Sequence, residues 1–87
     1  MYYVYVIQRE DGRLYIGYSS NLKERIEAHK QGKGNWTKRH KWELVYYEAY
    51  KAKDDAKKRE QQLKKSGQAR RWLKERIANS IALSEES

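Results

Sequence analysis

Two runs of β-branched and aromatic residues, separated by a short turn sequence, occupy the first eighteen positions of the chain. The runs cover residues 2–8 and 14–18, and their composition is typical of β-strands. Between them, the sequence Arg9-Glu10-Asp11-Gly12 favours a tight turn. The pattern therefore predicts a β-hairpin at the start of the chain.

The register of this hairpin follows from its aliphatic side chains, because strand residues two apart lie on the same face of a sheet. One register places four aliphatic side chains on the core face: Val4, Val6, Leu14 and Ile16. A slip of one residue would put those of one strand on the opposite face from those of the other. This register needs a loop with an odd number of residues and Gly12 in the left-handed region. The opposite face then carries Tyr3, Tyr5, Tyr15 and Gly17. Since Gly17 lies across from Tyr5, we expect open space over that ring, and the tyrosines form either a functional surface or a second small core.

The rest of the chain carries signals for one further strand and three helices. Asn21 followed by Glu24 matches a capping box and starts a predicted helix over residues 22–31. The other predicted segments are a basic loop over 32–41, a strand over Trp42–Tyr50, helices over 52–65 and 69–83, and a frayed tail over 84–87. The order β-β-α-β-α-α predicts one α+β domain over residues 1–83, in which helices pack on a three-stranded sheet and bury one of its faces.

The length and composition of the chain exclude several classes of protein. At 87 residues the chain is long enough for one domain, and 20 Lys and Arg against 12 Asp and Glu leave a net charge of +8, which favours a polyanionic partner. The absence of cysteine excludes disulfides, thiolate metal sites and cysteine nucleophiles. The longest apolar run, residues 1–7, is too short to cross a bilayer. We therefore expect a soluble, cytoplasmic protein with no membrane partner.

Three ionisable residues occupy positions near the predicted core. Arg25 and His29 are four residues apart, so they lie one turn apart on the first helix. Glu60 borders the inward stripe of the second helix, where carboxylates are rarely left unpaired. The alternative roles are structural: a histidine packed at a core edge, and a glutamate ion-paired with Arg59 or another nearby base.

Basic residues concentrate in three stretches, 30–41, 51–65 and 70–76. In the first stretch, Trp36 lies among cations, which suits a loop that grips phosphates and stacks on an exposed base. The predicted nucleic-acid contacts are Lys33, Trp36, Lys38 and Arg39, together with Lys64 from the second stretch. The alternative is that these charges only keep the helix faces solvated.

The ordered set of tyrosine motifs and ionisable residues resembles the GIY-YIG endonuclease family. The residues that carry the resemblance are Tyr3-Val4-Tyr5, Tyr15-Ile16-Gly17, Arg25, His29 and Glu60. The chain is most similar to the short bacterial single-domain members related to the N-terminal nuclease domain of the excision-repair UvrC subunit. The resemblance spans nearly the whole chain, and it departs from the family pattern where Tyr3 replaces the first glycine.

The resemblance implies the GIY-YIG nuclease fold, with three antiparallel strands flanked by helices, and divalent-metal-dependent cleavage of DNA phosphodiester bonds. It implies catalytic roles for Tyr5, Tyr15, Arg25 and His29, and a single Mg²⁺ or Mn²⁺ ion bound by Glu60. Arg25 can neutralise charge that builds on the phosphoryl oxygens. The general base stays open between Tyr5, Tyr15 and His29, since a phenol with a pKa of about 10 is a poor base near neutrality.

The expected partner is DNA of unspecified structure and sequence, with RNA as the other possibility. Larger family members often add a recognition domain, for which 87 residues leave no room. We therefore expect specificity to come from the surface of this domain, from DNA shape or from a protein partner, with structure-specific cleavage and DNA repair as candidate roles. Two alternatives stay open: a catalytically weak nucleic-acid binding module of the same fold, and a basic adaptor for an acidic protein.

Overall fold

The structure, a computed structural model, describes residues 1–33 and 39–86. Three strands form an antiparallel sheet in the order β2-β1-β3: β1 (Tyr2–Arg9), β2 (Leu14–Ser19) and β3 (Trp42–Tyr50). The central strand is β1, since both other strands pair with it. The predicted α+β class and three-stranded antiparallel sheet are confirmed.

The hairpin of β1 and β2 has the register that its aliphatic pattern predicts. Val6 pairs with Ile16, and Tyr5 pairs with Gly17. Gly12 adopts a φ of 86°, and its N–H donates to the Arg9 carbonyl at 2.9 Å to close the turn. Residues with a side chain avoid this left-handed conformation, so the glycine helps to fix the loop length on which the register depends.

Four helices lie in the described part of the chain: α1 (Leu22–Lys30), α2 (Lys53–Lys65), α3 (Gly67–Arg76) and α4 (Ala78–Glu86). The single helix predicted over 69–83 is thus two helices with a break at Ile77, and α4 continues through residues 84–86. No glycine or proline marks the break, where Ile77 stays buried in the core while α4 turns to contact β3. Among these helices, none combines the length and the apolar character that crossing a membrane requires.

The main hydrophobic core lies between one face of the sheet and helices α2 and α3. Its buried members are Val4, Val6, Ile16, Ala56, Leu63, Ala69, Leu73 and Ile77. Ser66 caps α3 by accepting a hydrogen bond from the Ala69 N–H at 3.1 Å. This packing holds α2, the helix that carries Glu60, against the sheet.

The second face of the central strand is also covered, which corrects the prediction that the sheet buries one face. Tyr5 and Ile7 lie outside the main core, yet both are fully buried. Helix α1 lies over this face, where the His29 ring packs edge-to-face against Tyr5. The helix gives a weak hydrophobic signal in the sequence, because its buried residue is the polar His29 rather than an aliphatic side chain.

A β-bulge decides which residues of β3 lie on this second face. Val6 pairs with Tyr46 while Ile7 pairs with Leu44, so β3 accommodates one extra residue between the two pairs. Residues paired across neighbouring strands lie on the same face of a sheet. The residues of β3 on the second face are therefore Trp42, Leu44, Tyr47 and Ala49.

Candidate active site

The side chain of Tyr5 lies at the centre of the candidate site. Its ring lies over Gly17 of the neighbouring strand: a β carbon at Gly17 would be 2.3 Å from Cζ and 2.4 Å from the phenol oxygen of Tyr5. The open space expected over the ring is therefore absent, because the ring itself lies against the glycine. Glycine at this position allows the phenol of Tyr5 to extend across β2.

Helix α1 brings two side chains to this phenol. The helix begins after Asn21, whose side chain accepts a hydrogen bond from the Glu24 N–H at 3.1 Å, as the capping pattern predicts. Arg25 Nε donates to the phenol oxygen of Tyr5 at 3.2 Å, and His29 Nε2 lies 3.3 Å from the same oxygen. The four-residue spacing on α1 thus places a cation and an imidazole on one hydroxyl group.

Aromatic rings surround His29, which is 4% exposed. The centre of its ring lies 6.1 Å from that of Tyr5, 6.0 Å from that of Tyr15 and 5.7 Å from that of Trp42, each in an edge-to-face arrangement. These contacts match the structural alternative of a histidine packed at a core edge. The additional contact between Nε2 and the phenol oxygen gives the same ring a route to proton transfer. The sequence pattern does not identify Trp42 as part of this cluster.

Burial shifts the pKa of the Tyr5 phenol and the pKa of the His29 imidazole in opposite directions. Desolvation raises the pKa of Tyr5; the hydrogen bond from Arg25 opposes this only in part, and Tyr15 and Glu60 add to the rise. Desolvation lowers the pKa of His29, and the charge of Arg25 lowers it further. At neutral pH the phenol of Tyr5 is therefore protonated and the imidazole is neutral.

Arg25 joins the second motif tyrosine to the cluster. Its guanidinium hydrogen-bonds Tyr5 and also Tyr15, and these contacts raise the pKa of Arg25. The rings of Tyr5 and Tyr15 lie 6.2 Å apart. A permanently charged, planar donor group therefore lies beside two phenols, and this geometry suits the binding of phosphoryl oxygens.

Glu60 of α2 lies close to this cluster. Its side chain is 10% exposed, and its charge contributes to the raised pKa of Tyr5. One carboxylate oxygen, Oε2, lies 3.2 Å from Nζ of Lys64, one turn further along α2. Arg59, the partner suggested first by the sequence, pairs instead with Glu48 on β3 at 2.9 Å. The ion pair considered as an alternative is therefore present, with Lys64 as the partner.

The ligands available near Glu60 decide which cation would fit there. Within residues 1–33 and 39–86, no group of three or more His, Cys, Asp and Glu side chains is arranged to hold a metal ion. A site at Glu60 would therefore offer one carboxylate, and water and substrate oxygens would complete the shell. Mg²⁺ retains several waters and binds through one or two carboxylates and phosphate oxygens, so the residues fit Mg²⁺ or Mn²⁺. They do not fit a structural zinc site, which needs four protein ligands.

The predicted nucleic-acid contacts fall into three groups. Lys33 and Arg39 are exposed at the two ends of the segment 34–38. Trp36 and Lys38 lie outside the described residues. Lys64 is close to half-exposed, and through its ion pair with the Glu60 carboxylate it lies beside the tyrosine cluster.

Comparison with known proteins supports the family and the fold. A family model described as the GIY-YIG catalytic domain matches residues 1–75. UPF0213 proteins from Staphylococcus aureus strains Mu3 and N315 are each 42% identical over 65 residues, which cover 72% of this chain and 79% of each relative. A solution NMR structure of a UPF0213 protein from Bacillus halodurans superposes with a TM-score of 0.55 and 34% identity, covering 84% of this chain and 82% of that protein.

Proposed function

Because the chain belongs to the GIY-YIG family, whose catalytic domain is of the nuclease type, we propose that it is a divalent-metal-dependent DNA endonuclease that hydrolyses phosphodiester bonds. One observation carries the proposal: a hydrogen-bonded series Arg25–Tyr5–His29, at 3.2 and 3.3 Å, lies near the carboxylate of Glu60. The series offers proton acceptors and a fixed cation, and the carboxylate offers a metal ligand. A metal-dependent hydrolysis of a phosphodiester uses all three.

The attacking water must lose a proton, and the Tyr5–His29 pair supports a specific path for it. Arg25 donates to the phenol oxygen, which leaves the O–H of Tyr5 to donate to Nε2 of neutral His29. As the phenol oxygen accepts a proton from the water, the phenol proton moves to His29 in the same step, because the raised pKa of Tyr5 and the lowered pKa of His29 disfavour transfer within the pair alone. The phenol cannot act without His29, since its own proton needs an acceptor. We therefore assign the general base to the pair, with Tyr15 as a positioning residue.

The guanidinium of Arg25 is proposed to stabilise the charge that develops on the phosphoryl oxygens. It is held by Tyr5 and Tyr15, so its orientation is set before substrate binds. Preorganised donors of this kind stabilise a transition state without the cost of reorganising when the reaction occurs. Burial, and to a smaller extent this guanidinium, lower the pKa of His29, so that the imidazole is neutral and can accept a proton.

Glu60 is proposed to hold one Mg²⁺ or Mn²⁺ ion near the phenol of Tyr5. Such an ion would polarise the phosphoryl group and lower the pKa of bound water. In the structure, one oxygen of the Glu60 carboxylate forms an ion pair with Lys64. Lys64 must therefore share this carboxylate with the cation or turn towards the phosphates.

DNA is the proposed substrate, and the charge of the chain supports it. The net charge is +8, and Lys33, Arg39 and Lys64 are exposed or partly exposed cations, with Trp36 and Lys38 as the further predicted contacts. Phosphate contacts by such side chains hold a duplex without reading its sequence. A structure-specific or repair-related role in the cytoplasm, with specificity supplied by DNA shape or a protein partner, is part of the same proposal.

Supercoiled plasmid and a panel of linear and branched labelled DNAs test the proposal. The wild-type chain should cut at least one substrate with Mg²⁺ and none with EDTA, and Glu60→Gln should abolish cutting while DNA affinity stays within about twofold. Glu75→Gln, a change at an exposed position on α3, is the matched control and should cut normally. Tight, salt-sensitive binding without cutting would favour the weak binding module, and full activity of Glu60→Gln would remove the metal assignment.

A further inference from the structure

Two tyrosines on the second sheet face are not used by the proposed chemistry. Tyr47 lies directly across from Tyr5 in the sheet, and its side chain is 53% exposed. Tyr3, two residues before Tyr5 on the same face, packs edge-to-face against Tyr47 with ring centres 6.1 Å apart. The exposed ring of Tyr47 and the half-buried ring of Tyr3 together present apolar surface to water, and such patches mark interaction sites. We call this pair the Tyr3–Tyr47 platform.

The Tyr3–Tyr47 platform forms part of the floor of a groove between α1 and β3. The groove has a volume of about 630 Å³, and its apolar wall includes Leu22, Ile26 and Leu44. A second cavity of about 530 Å³ shares Ile26 and Leu44 with it and continues to Trp42. Trp42 also packs against His29 of the candidate active site. The groove therefore runs alongside the site, with Trp42 in contact with both.

Three lysines and two glutamates line this groove. Lys23 and Lys30 of α1 border the cavity that contains the platform, with Glu27 between them, and Lys30 also borders the second cavity. Lys41 and Glu43 flank Trp42 in the second cavity. Exposed aromatic rings beside lysines are the arrangement with which proteins bind single-stranded nucleic acid: the rings stack on bases and the cations pair with phosphates.

We propose that the Tyr3–Tyr47 platform stacks on an unpaired nucleobase, so that the substrate class of this chain is DNA with a single-stranded segment next to the cleaved bond. The inference rests on the proposed function and adds a substrate class to it. A base within a continuous duplex is stacked on its neighbours and cannot offer a free face to the ring. The net charge of +8 favours this occupant over a second copy of the chain, which would bring an equal positive charge to the same surface.

Binding in EDTA separates this inference from cleavage. The probes are a fluorescently labelled oligo-dT strand and a blunt duplex of equal length, and affinity is measured by anisotropy. Tyr47→Ala should weaken binding of the single strand by roughly 5- to 150-fold, as expected for loss of one stacked base, and should change duplex affinity by less than about twofold. Tyr47→Phe keeps the ring and should bind the single strand as the wild type does. Trp72→Ala, at a position 57% exposed on α3, is the control for loss of an exposed aromatic ring elsewhere.

Each other outcome overturns the inference. Equal losses on both probes would make Tyr47 a general contact or a stability residue, and thermal melting of the variant would tell these apart. No loss would leave the platform without a role in DNA binding. A dimer in sedimentation that Tyr47→Ala converts to a monomer, with single-strand affinity unchanged, would assign the groove to a second copy. Failure of both probes to bind would contradict the proposed function itself.

Discussion

The ring of Tyr5 rests on the backbone of Gly17, so closely that a β carbon at Gly17 would lie 2.3 Å from the ring carbon Cζ. Real β carbons do not approach other atoms to that distance, so any side chain at this position must displace the phenol. The phenol oxygen is the atom on which Arg25 and His29 converge. The glycine therefore controls the position of the proposed catalytic hydroxyl without contributing an atom to it.

We expect Gly17→Ala to lose cleavage activity and to lower stability. Overpacking of this kind costs about 1–3 kcal/mol, which corresponds to a fall in Tm of several degrees or more for a domain of this size. Cleavage should fall by roughly 100-fold or more, because small misplacements of a catalytic group have large effects. Plasmid cleavage and thermal melting measure the two effects. Gly67→Ala is the control, since a β carbon there would meet only the Arg70 guanidinium at 3.8 Å.

Tyr5→Phe separates the chemistry of the hydroxyl from the packing of the ring. The ring can still lie over Gly17, so the fold and DNA affinity should be kept. Removal of the hydroxyl breaks the proton path to His29, and cleavage should fall by roughly 10²- to 10⁴-fold. The measurement is single-turnover cleavage at saturating protein, with Tyr18→Phe as a matched change on the same hairpin. Wild-type rates in Tyr5→Phe would transfer the role of base to Tyr15 or to His29 alone.

The protonation of His29 predicts the acid limb of the pH–rate profile. Burial and Arg25 lower the pKa of His29 below its ordinary value of 6.5, so the limb should lie below pH 6.5, and cleavage should rise with pH until His29 is neutral. The same shift affects stability. The unfolded state binds more protons, so the contribution of His29 is fully present above pH 6.5 and is lost as pH falls through its lowered folded pKa. In the wild type, both the cleavage rate and the Tm should fall as the pH is lowered from about 8 to 5. In His29→Gln, the part of each fall that is due to protonation of His29 should be absent.

The sequence could predict the hairpin and the α1 pair because short-range rules determine both. Alternation of aliphatic residues leaves one register for β1 and β2, and Gly12 supplies the loop that this register needs. The 3.6-residue period of a helix is enough to place Arg25 and His29 on one side of α1. Their convergence on Tyr5 then follows once α1 lies over the second face of the sheet.

Other parts of the structure depend on contacts that spacing does not encode. Simple alternation along β3 would put Trp42 and Leu44 on the same face as Tyr46, but the bulge moves them to the face that contains Tyr47. The contact of Trp42 with His29 is therefore invisible to a period-two pattern. A bulge has no reliable local signature here, since no glycine lies in the strand.

The ion-pair partner of Glu60 also depends on a tertiary contact that spacing does not encode. Helical spacing puts Lys64 within reach and makes Arg59 a neighbour in sequence. Arg59 turns instead to Glu48, a residue on β3 with which it shares no sequence motif. The contact with Glu48 therefore occupies Arg59, and in the described part of the chain Lys64 is the cation paired with the proposed metal ligand.

Glu48→Gln should destabilise the fold and leave the chemistry of the folded protein unchanged. Glu48 accepts hydrogen bonds from Arg59, Tyr46 and Tyr50; burial alone would raise its pKa, but these bonds outweigh burial and lower it. Loss of the charge should cost about 1–3 kcal/mol. Because the folded pKa is lowered, this stability is present above pH 4.5 and is lost as pH falls through the folded pKa. Urea unfolding at pH 7 and at low pH, with Glu75→Gln as the control, should show a difference that shrinks in acid.

Lys64→Gln should have opposite effects on metal binding and on DNA binding. The variant removes an ammonium 3.2 Å from Oε2 of Glu60, so the carboxylate becomes more available and affinity for Mn²⁺ should rise by a few-fold. DNA binding should weaken, and its salt dependence should fall by roughly one charge, since one phosphate contact is lost. Mn²⁺ titration of the free protein, followed through broadening of the Tyr5 and His29 resonances, reports the first effect, and anisotropy over a salt series reports the second. Lys65→Gln, at the next position, should match the wild type in Mn²⁺ affinity. Weaker Mn²⁺ binding by Lys64→Gln would mean that Lys64 orients Glu60 for the metal rather than competing with it.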